Sequence, residues 1–323
     1  MLLVAFSGAR KLVPDLLYMN GFFEPNFTIF PQLLWRIGYW GNAKRLLAPR
    51  GEFSEGALAR RRLKKRMYLA IYRALGLAHG VVWHASSDAE ASDIRQLWGE
   101  NATILVRENE TSLPPLAERR HLIQASCDGP LKTVFLGRLV EHKGLHVALE
   151  ALRTQSAEIE LNIYGLEEDR EYVARCRKLV ATLPLNVRVR FHGPVEHEAV
   201  AATLEGCHLM LLPTASENFG HVIAEALSVG CPVMATSETP WTGRLESGGG
   251  IVLASRNPSL WEKAIREYSL LSSNLRLATR VAAADTFDGW KTDAPQPHIF
   301  ELYRSFEHTS PRKNARSNYR SST

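Results

Sequence analysis

Between residues 131 and 253, short apolar runs alternate with helical stretches, and this alternation limits the fold more than any other feature. The runs 133–136, 161–164, 187–191, 208–212, 233–236 and 250–253 have the length and composition of buried strands. Helical stretches fall between most of them, near 145–152, 168–182, 196–205 and 221–228. Strand–helix–strand repeats call for right-handed crossovers, so the strands pair in parallel and helices cover both faces of the sheet. Ligands in such sheets bind outside the carboxyl ends of the strands. Residues that directly follow a strand are therefore the first candidates for function.

Upstream the pattern is thinner. Strands are expected at 16–19, 44–47, 80–84 and 102–106, and helices at 26–40, 57–75 and 88–98. Ser87 and Glu90 have capping-box spacing at the start of the last of these. In 57–75, Leu63, Met67, Ala70, Ile71, Ala74 and Leu75 fall on one face, the pattern of a packed helix. Arg60, Arg61, Arg62, Lys64, Lys65 and Arg66 fill much of the rest. The stretch 107–130 carries Pro114, Pro115, Gly129 and Pro130 with little periodicity and reads as a linker. The expected organisation is a first domain at 1–110, a linker at 111–130 and a second domain at 131–285. A C-terminal helical segment at 286–308 and a disordered basic tail at 309–323 follow.

The 323 residues suffice for two domains. A net charge of +5 suits an anionic ligand or membrane surface and is too small to argue for nucleic acid. Cys127, Cys176, Cys207 and Cys231 are widely spaced without a C-x-x-C pair. They read as reduced packing residues of a cytoplasmic protein, neither a disulfide framework nor a zinc site. No apolar run reaches the roughly 18 residues that a spanning helix needs, and the apolar stretch at 1–6 is too short for a signal core.

Two motifs carry chemistry. Gly137-Arg138 follows the strand at 133–136, and Lys143-Gly144 comes next. Glycine lets a backbone approach a ligand closely; Arg138 can fork onto phosphate oxygens and Lys143 can reach the same group as a point charge. The second motif follows the strand at 208–212. Glu217-Asn218-Phe219-Gly220-His221 runs from a loop into a helix N-terminus, whose amides suit an anion. Glu225 lies inside that helix. Carboxylates repel a diphosphate but accept hydrogen bonds from sugar hydroxyls. Either motif alone fits a surface turn with solvated charges. Both together, after strands of one sheet, describe the floor of a nucleotide-sugar site.

Gly137-Arg138…Lys143-Gly144, then Leu212-Pro213…Glu217-Asn218-Phe219-Gly220…Glu225-Ala226-Leu227…Gly230-Cys231-Pro232-Val233 resembles the retaining glycosyltransferases of family 4, or glycosyl transferases group 1. Thr239-Pro240-Trp241 and Gly248-Gly249-Gly250 resemble the lipopolysaccharide and exopolysaccharide branch. The resemblance runs from about Asp15 to about Leu253. It implies an α/β chain of GT-B type, two Rossmann-like domains facing a cleft. It also implies that Gly137, Arg138 and Lys143 bind the donor diphosphate. Glu217, Asn218, Phe219, Gly220 and His221 would hold the donor sugar, Glu225 the ribose and Val195 the nucleobase. Pro49-Arg50-Gly51 matches the active-site loop that faces the donor sugar, which makes Arg50 and Glu217 the catalytic candidates. His84-Ala85-Ser86 matches a structural motif, with His84 a packed strand-end histidine.

No D-x-D occurs, and no His/Cys cluster has ligand spacing. The resemblance implies no metal and no cofactor, only a UDP- or GDP-sugar donor whose leaving diphosphate is held by cations and a helix N-terminus. It implies front-face displacement onto a glycan or lipid-linked acceptor. The family also opens with a strand, a Gly-rich loop and a helix, and this chain shows no such opening; the first domain is expected to be incomplete. That leaves a second reading, a non-catalytic nucleotide-sugar-binding module that needs a partner or further N-terminal residues. A phosphorylase on the same fold would want a pyridoxal-binding lysine, which nothing marks. Residues 44–73 carry ten Lys or Arg, so the basic 57–73 helix reads either as a solvated face or as a peripheral contact with anionic lipid on the inner face of the plasma membrane. Nucleic acid is not expected as a partner, because no stacking aromatics accompany the charges.

Overall fold

A computed structural model describes residues 14–59, 61–110, 113, 129–293 and 297–309. The expected strand stub at 1–6, most of the linker, Cys127 and the basic tail lie outside the described residues. In chain order the elements are β1 (Leu16–Asn20), α1 (Ile29–Arg36), β2 (Lys44–Ala48), α2 (Glu55–Ala59), α3 (Arg62–Ala74), β3 (Val81–Ala85), α4 (Asp88–Trp98) and β4 (Ile104–Val106). Then come β5 (Leu131–Leu136), α5 (Leu145–Ala151), β6 (Ile159–Tyr164), α6 (Arg170–Val180), β7 (Val187–Gly193), α7 (His197–Glu205), β8 (Leu209–Leu212), α8 (His221–Ser228), β9 (Val233–Thr236) and β10 (Gly250–Leu253). Three helices close the chain: α9 (Pro258–Ser269), α10 (Ser273–Thr292) and α11 (Ile299–Thr309). The chain forms two compact units, one of residues 1–53, 61–107 and 295–323, the other of 54–60 and 108–294.

In the first unit the described strands form one parallel sheet in the order β1-β2-β3-β4. Alternate residues of β2 and β3 serve different cores, as the period of a strand dictates. Leu46 and Val82 pack under Ile299 and Tyr303 of α11. Trp83 instead joins an aromatic cluster with Phe22, Phe53, Tyr72 and Trp98, its ring stacked 5.3 Å from that of Trp98.

In the second unit six parallel strands run in the order β10-β9-β8-β5-β6-β7. From β5 the chain moves outward to β6 and β7, then returns to β8 on the other side of β5 and proceeds to β9 and β10. The order reverses between β5 and β8, and that is where an open parallel sheet receives a ligand. Each sheet face has its own core. Phe135, Leu145, Leu149, Ile159, Leu211 and Trp261 belong to one; Val134, Leu136, Met210, Leu212, Ile223 and Phe287 belong to the other. Leu209–Leu212 is buried throughout, as expected of a central strand covered on both faces.

Two expectations are corrected. The helix expected over 57–75 is two helices, broken where Arg61 takes a left-handed backbone at φ 54°. Its packed face is also the opposite one. Leu69 and Tyr72 are buried, while Leu63, Met67 and Ile71 are 82%, 62% and 46% exposed. The tyrosine explains the reversal: Tyr72 puts its ring against Phe22 and Trp98, and its hydroxyl and the Gln32 amide hydrogen-bond to each other. An aromatic ring with a satisfied hydroxyl buries more area than an aliphatic side chain. At the other end of the chain, the segment expected as 286–308 divides. α10 runs unbroken to Thr292 in the second unit, and α11 packs on the sheet of the first.

Candidate functional site

The loops after β5 and β8 meet at the switch point because a glycine permits it. Gly144 has φ 78°, and a Cβ there would stand 1.9 Å from the carbonyl oxygen of Pro213. Backbone bonds then pin the loops together: the Ala215 N–H donates to the His142 carbonyl at 2.7 Å, and the Glu217 N–H to that of Glu238 at 2.9 Å. The Thr236 hydroxyl at the end of β9 donates to the Thr214 carbonyl at 2.7 Å. Beside them, Gly165 presses on the other loop; a Cβ at Gly165 would lie 1.8 Å from the Gly137 carbonyl oxygen. Sequence reasoning did not single out Gly165, although a glycine directly after a strand was the signal used for Gly137.

The expected site residues of the second unit sit on this frame. Lys143 Nζ and Glu217 Oε1 are 2.6 Å apart, with side chains 15% and 8% exposed. Arg138 is more open and pairs with Glu168 at 2.9 Å; an exposed pair of this kind contributes about 0–1 kcal/mol and is easily exchanged for a ligand. Glu225 lies on α8, 3.8 Å from His197 Nδ1. Burial raises the pKa of Glu225, and His197 opposes that rise. Val195 is half-buried against the core cluster that contains Phe219 and Ile223.

The N-terminus of α8 is built for a close approach. Gly220 caps it with a left-handed φ of 82°. No acidic residue occupies the first turn, so the positive end of the helix dipole is not neutralised there. Phe219 serves this loop from beneath. Its ring is buried against Trp241 and Trp290, and its carbonyl accepts from the Trp241 indole N–H at 2.7 Å. That is the physical role of the Thr239-Pro240-Trp241 motif: Trp241 clamps the loop. The Phe219 side chain is taken up by this packing, and its backbone N–H is what it leaves open. The N–H groups of Asn218, Phe219 and Gly220 make no hydrogen bond among the described residues. His221 is exposed at the helix start, its ring 4.7 Å from that of Phe219.

Arg50 belongs to the first unit, two residues beyond β2, and holds a left-handed backbone at φ 57°. Such a conformation is costly for a residue with a Cβ and has to be held by its surroundings. Glu90 does this: its carboxylate accepts the Gly51 N–H at 2.6 Å and both the N–H and the hydroxyl of Ser86 at 2.7 Å. The side chain is held by a relay. His84 Nε2–H donates to the Arg107 carbonyl at 2.9 Å, which leaves Nδ1 to accept the Tyr18 hydroxyl at 2.7 Å. Arg50 Nη2 donates to the Tyr18 oxygen at 2.8 Å. Burial lowers the His84 pKa and raises that of Tyr18, so both stay neutral. His84 is a packed histidine at a strand end, as the sequence implied. Tyr18 was missed, since a tyrosine in a strand carries no signal of its own.

Cys176, Cys207 and Cys231 are buried and unpaired with one another. Among the described residues no three His, Cys, Asp or Glu side chains are grouped so as to hold a metal ion, and no helix is long and apolar enough to cross a membrane.

Comparison with known proteins agrees with this geometry. Sucrose-phosphate synthase from Thermosynechococcus elongatus superposes with a TM-score of 0.72 over 96% of this chain and 78% of that one, at 18% identity. Anabaena HepE, solved in complex with UDP and glucose, gives a TM-score of 0.66 over 95% and 80% at 17% identity. These likenesses show the fold, a GT-B arrangement of parallel α/β sheets. In sequence, a D-inositol 3-phosphate glycosyltransferase of Xylanimonas cellulosilytica is 28% identical over 226 residues, 64% of this chain and 53% of that protein. The WcaL protein of Escherichia coli, named for colanic acid biosynthesis, is 32% identical over 116 residues, 33% of this chain and 28% of that protein. The chain thus spans about half the length of the first relative and less of the second. The family model of the glycosyl transferases group 1 matches residues 120–284, the half of the chain that holds both motifs and the switch point. The chain is a member of the group 1 glycosyl transferases.

Proposed function

We propose that this chain is a retaining, metal-independent glycosyltransferase of family 4 that moves a hexose from a nucleotide diphosphate sugar to a glycan or lipid-linked acceptor. One observation carries the reading: the open N–H groups of Asn218, Phe219 and Gly220 adjoin the buried Lys143–Glu217 pair at the strand-order reversal. Lysine has three donors and a carboxylate two acceptor oxygens. Lys143 can therefore keep Glu217 while it binds a phosphate oxygen, and Glu217 can keep Lys143 while it accepts a sugar hydroxyl. The pair ties the diphosphate to the hexose. Arg138 leaves Glu168 for the diphosphate, Glu225 accepts the ribose hydroxyls, and Val195 packs against the base.

The transfer itself needs little from the protein beyond position and charge. The acceptor oxygen bonds to the anomeric carbon on the face that the diphosphate leaves. The bond to the phosphate oxygen breaks, and the acceptor proton passes to the departing phosphate. Lys143, Arg138 and the loop amides stabilise the charge that develops there, and Arg50 serves the donor-sugar side. A UDP-bound structural relative and a relative named for colanic acid biosynthesis support a UDP-type donor and a polysaccharide or lipopolysaccharide product. The lipid-linked acceptor goes with a cytoplasmic chain that touches an anionic membrane peripherally through its basic helix.

Calorimetry with UDP- and GDP-sugars tests the donor site. One of them should bind, with or without chelator, and Glu225→Ala should weaken it at least tenfold. If no nucleotide diphosphate binds, the donor site is wrong. If one binds but is neither hydrolysed nor transferred to any acceptor, the chain is a binding module rather than an enzyme.

A further inference from the structure

Helix α3 turns an apolar stripe to solvent. Leu63, Met67 and Ile71 are spaced four residues apart and exposed, and exposed Ala70 and Ala74 fill the gaps. At 100° per residue these five share one face. Leu69 and Tyr72 occupy the buried face, so the helix is apolar on two sides and only one is packed. Arg62 and Arg66 border the stripe on one flank and Lys64 on the other. The run 61–75 contains no acidic residue. Among the described residues Arg62, Lys64 and Arg66 enter no ion pair. The neighbouring helix packs on the other side: Gln32 of α1 hydrogen-bonds Tyr72 on the buried face of α3, which leaves the stripe uncovered.

A lone exposed leucine is ordinary; an aliphatic stripe with arginines and a lysine along its edges is the pattern of a helix that lies in a membrane interface. We propose that α3 inserts Leu63, Met67 and Ile71 below the headgroups of an anionic bilayer, with Arg62, Lys64 and Arg66 on the lipid phosphates. Long basic side chains suit that place, because their stems stay in the apolar layer while the charges reach the phosphates. A second copy of the chain fits poorly: a two-fold contact would set this basic rim against itself. The proposal deepens the acceptor half of the proposed function, turning an electrostatic contact into an inserted one. It does not rest on donor binding.

The test is flotation of the full chain with phosphatidylglycerol–phosphatidylcholine vesicles and with phosphatidylcholine alone, at low and high salt. Wild type should float with the anionic vesicles and keep part of its binding at high salt, since insertion is not screened. A Leu63→Gln/Met67→Gln/Ile71→Gln variant should lose at least tenfold of the bound fraction at both salts. An Arg62→Gln/Lys64→Gln/Arg66→Gln variant should lose most binding at low salt. All six positions are exposed, and circular dichroism checks that the variants fold. Stripe-variant binding equal to wild type would leave only an electrostatic contact and overturn insertion. Absence of any flotation overturns it too, as does a stripe variant that changes sedimentation from oligomer to monomer, which would make the stripe a protein interface. Nucleotide calorimetry on the same samples reads the donor site separately: its failure would sink the donor reading and leave this result standing.

Discussion

Glu225 is half-buried on α8, 3.8 Å from His197 Nδ1, and burial holds its pKa above the usual carboxylate value of 4.5. In the proposed role of ribose acceptor it has to be ionised, because protonation converts one acceptor oxygen into a donor. Donor affinity should therefore be highest well above the raised pKa and fall on acidification, with a midpoint above that of an ordinary carboxylate. In Glu225→Gln the acid-side slope should disappear and affinity should be lower throughout. The loss should be about 2 kcal/mol, the worth of a hydrogen bond to a charged group. Calorimetric titrations of UDP between pH 5 and 8 would show this; an unchanged slope in the variant assigns the titration elsewhere. The eight-residue separation of Glu217 and Glu225 was legible in the sequence because one loop-to-helix segment carries both. The Lys143–Glu217 pair was not, because its members are 74 residues apart and only the crossing from β5 to β8 makes them neighbours. For the same reason the resemblance assigns Lys143 to a phosphate and Glu217 to a sugar without showing that the two side chains bind each other.

Helix α10 does for the second unit what no local pattern announces. From its buried face Arg280 donates to the carbonyls of Cys207, Glu205 and Val229, at 2.5, 2.8 and 3.5 Å. Glu205 ends α7, and Val229 follows the last residue of α8. A guanidinium at two helix C-termini satisfies carbonyls that the helices leave open and sits at the negative ends of their dipoles. Replacement by methionine keeps much of the volume and removes the donors. Arg280→Met should cost about 2–4 kcal/mol, the range expected when charge-assisted bonds to buried carbonyls are lost. A urea titration followed by circular dichroism would read this as a lower midpoint; a midpoint within error of wild type would mean that water takes over the carbonyls. The helices were legible where the apolar period and a cap agree. In α4 the Ser87 hydroxyl accepts the Glu90 N–H at 3.2 Å, as the spacing implies. The other half of that capping box is absent, because the Glu90 carboxylate turns to Ser86 and Gly51 instead. In α3 the period was real and the face wrong: the count of aliphatic side chains missed that Tyr72 would be the buried one.

At the scale of the whole chain, sequence order and structural membership part company at α11. The chain leaves the second unit after α10, and its last described helix packs on the sheet of the first. Ile299 and Tyr303 are buried over Leu46 and Val82, with Phe306 beside them. Arg107 Nε donates to the Pro297 carbonyl at 3.0 Å, and Lys44 pairs with Glu307 at 3.5 Å. Each large apolar side chain buried this way contributes about 1.5–3 kcal/mol, so the three together approach 5 kcal/mol. A small unit has only about 5–15 kcal/mol of net stability. A chain ending at Asp293 should therefore lose most or all of the thermal stability of its first unit. Its second unit keeps both cores and every proposed donor-site residue except Arg50, so its transition and its affinity for UDP should survive. Scanning calorimetry with and without UDP separates the cases, since a nucleotide that binds the second unit raises only that transition. Loss of both transitions together, with loss of UDP binding, would mean that the two units fold as one, and that α11 stabilises the donor site as well as the sheet it covers.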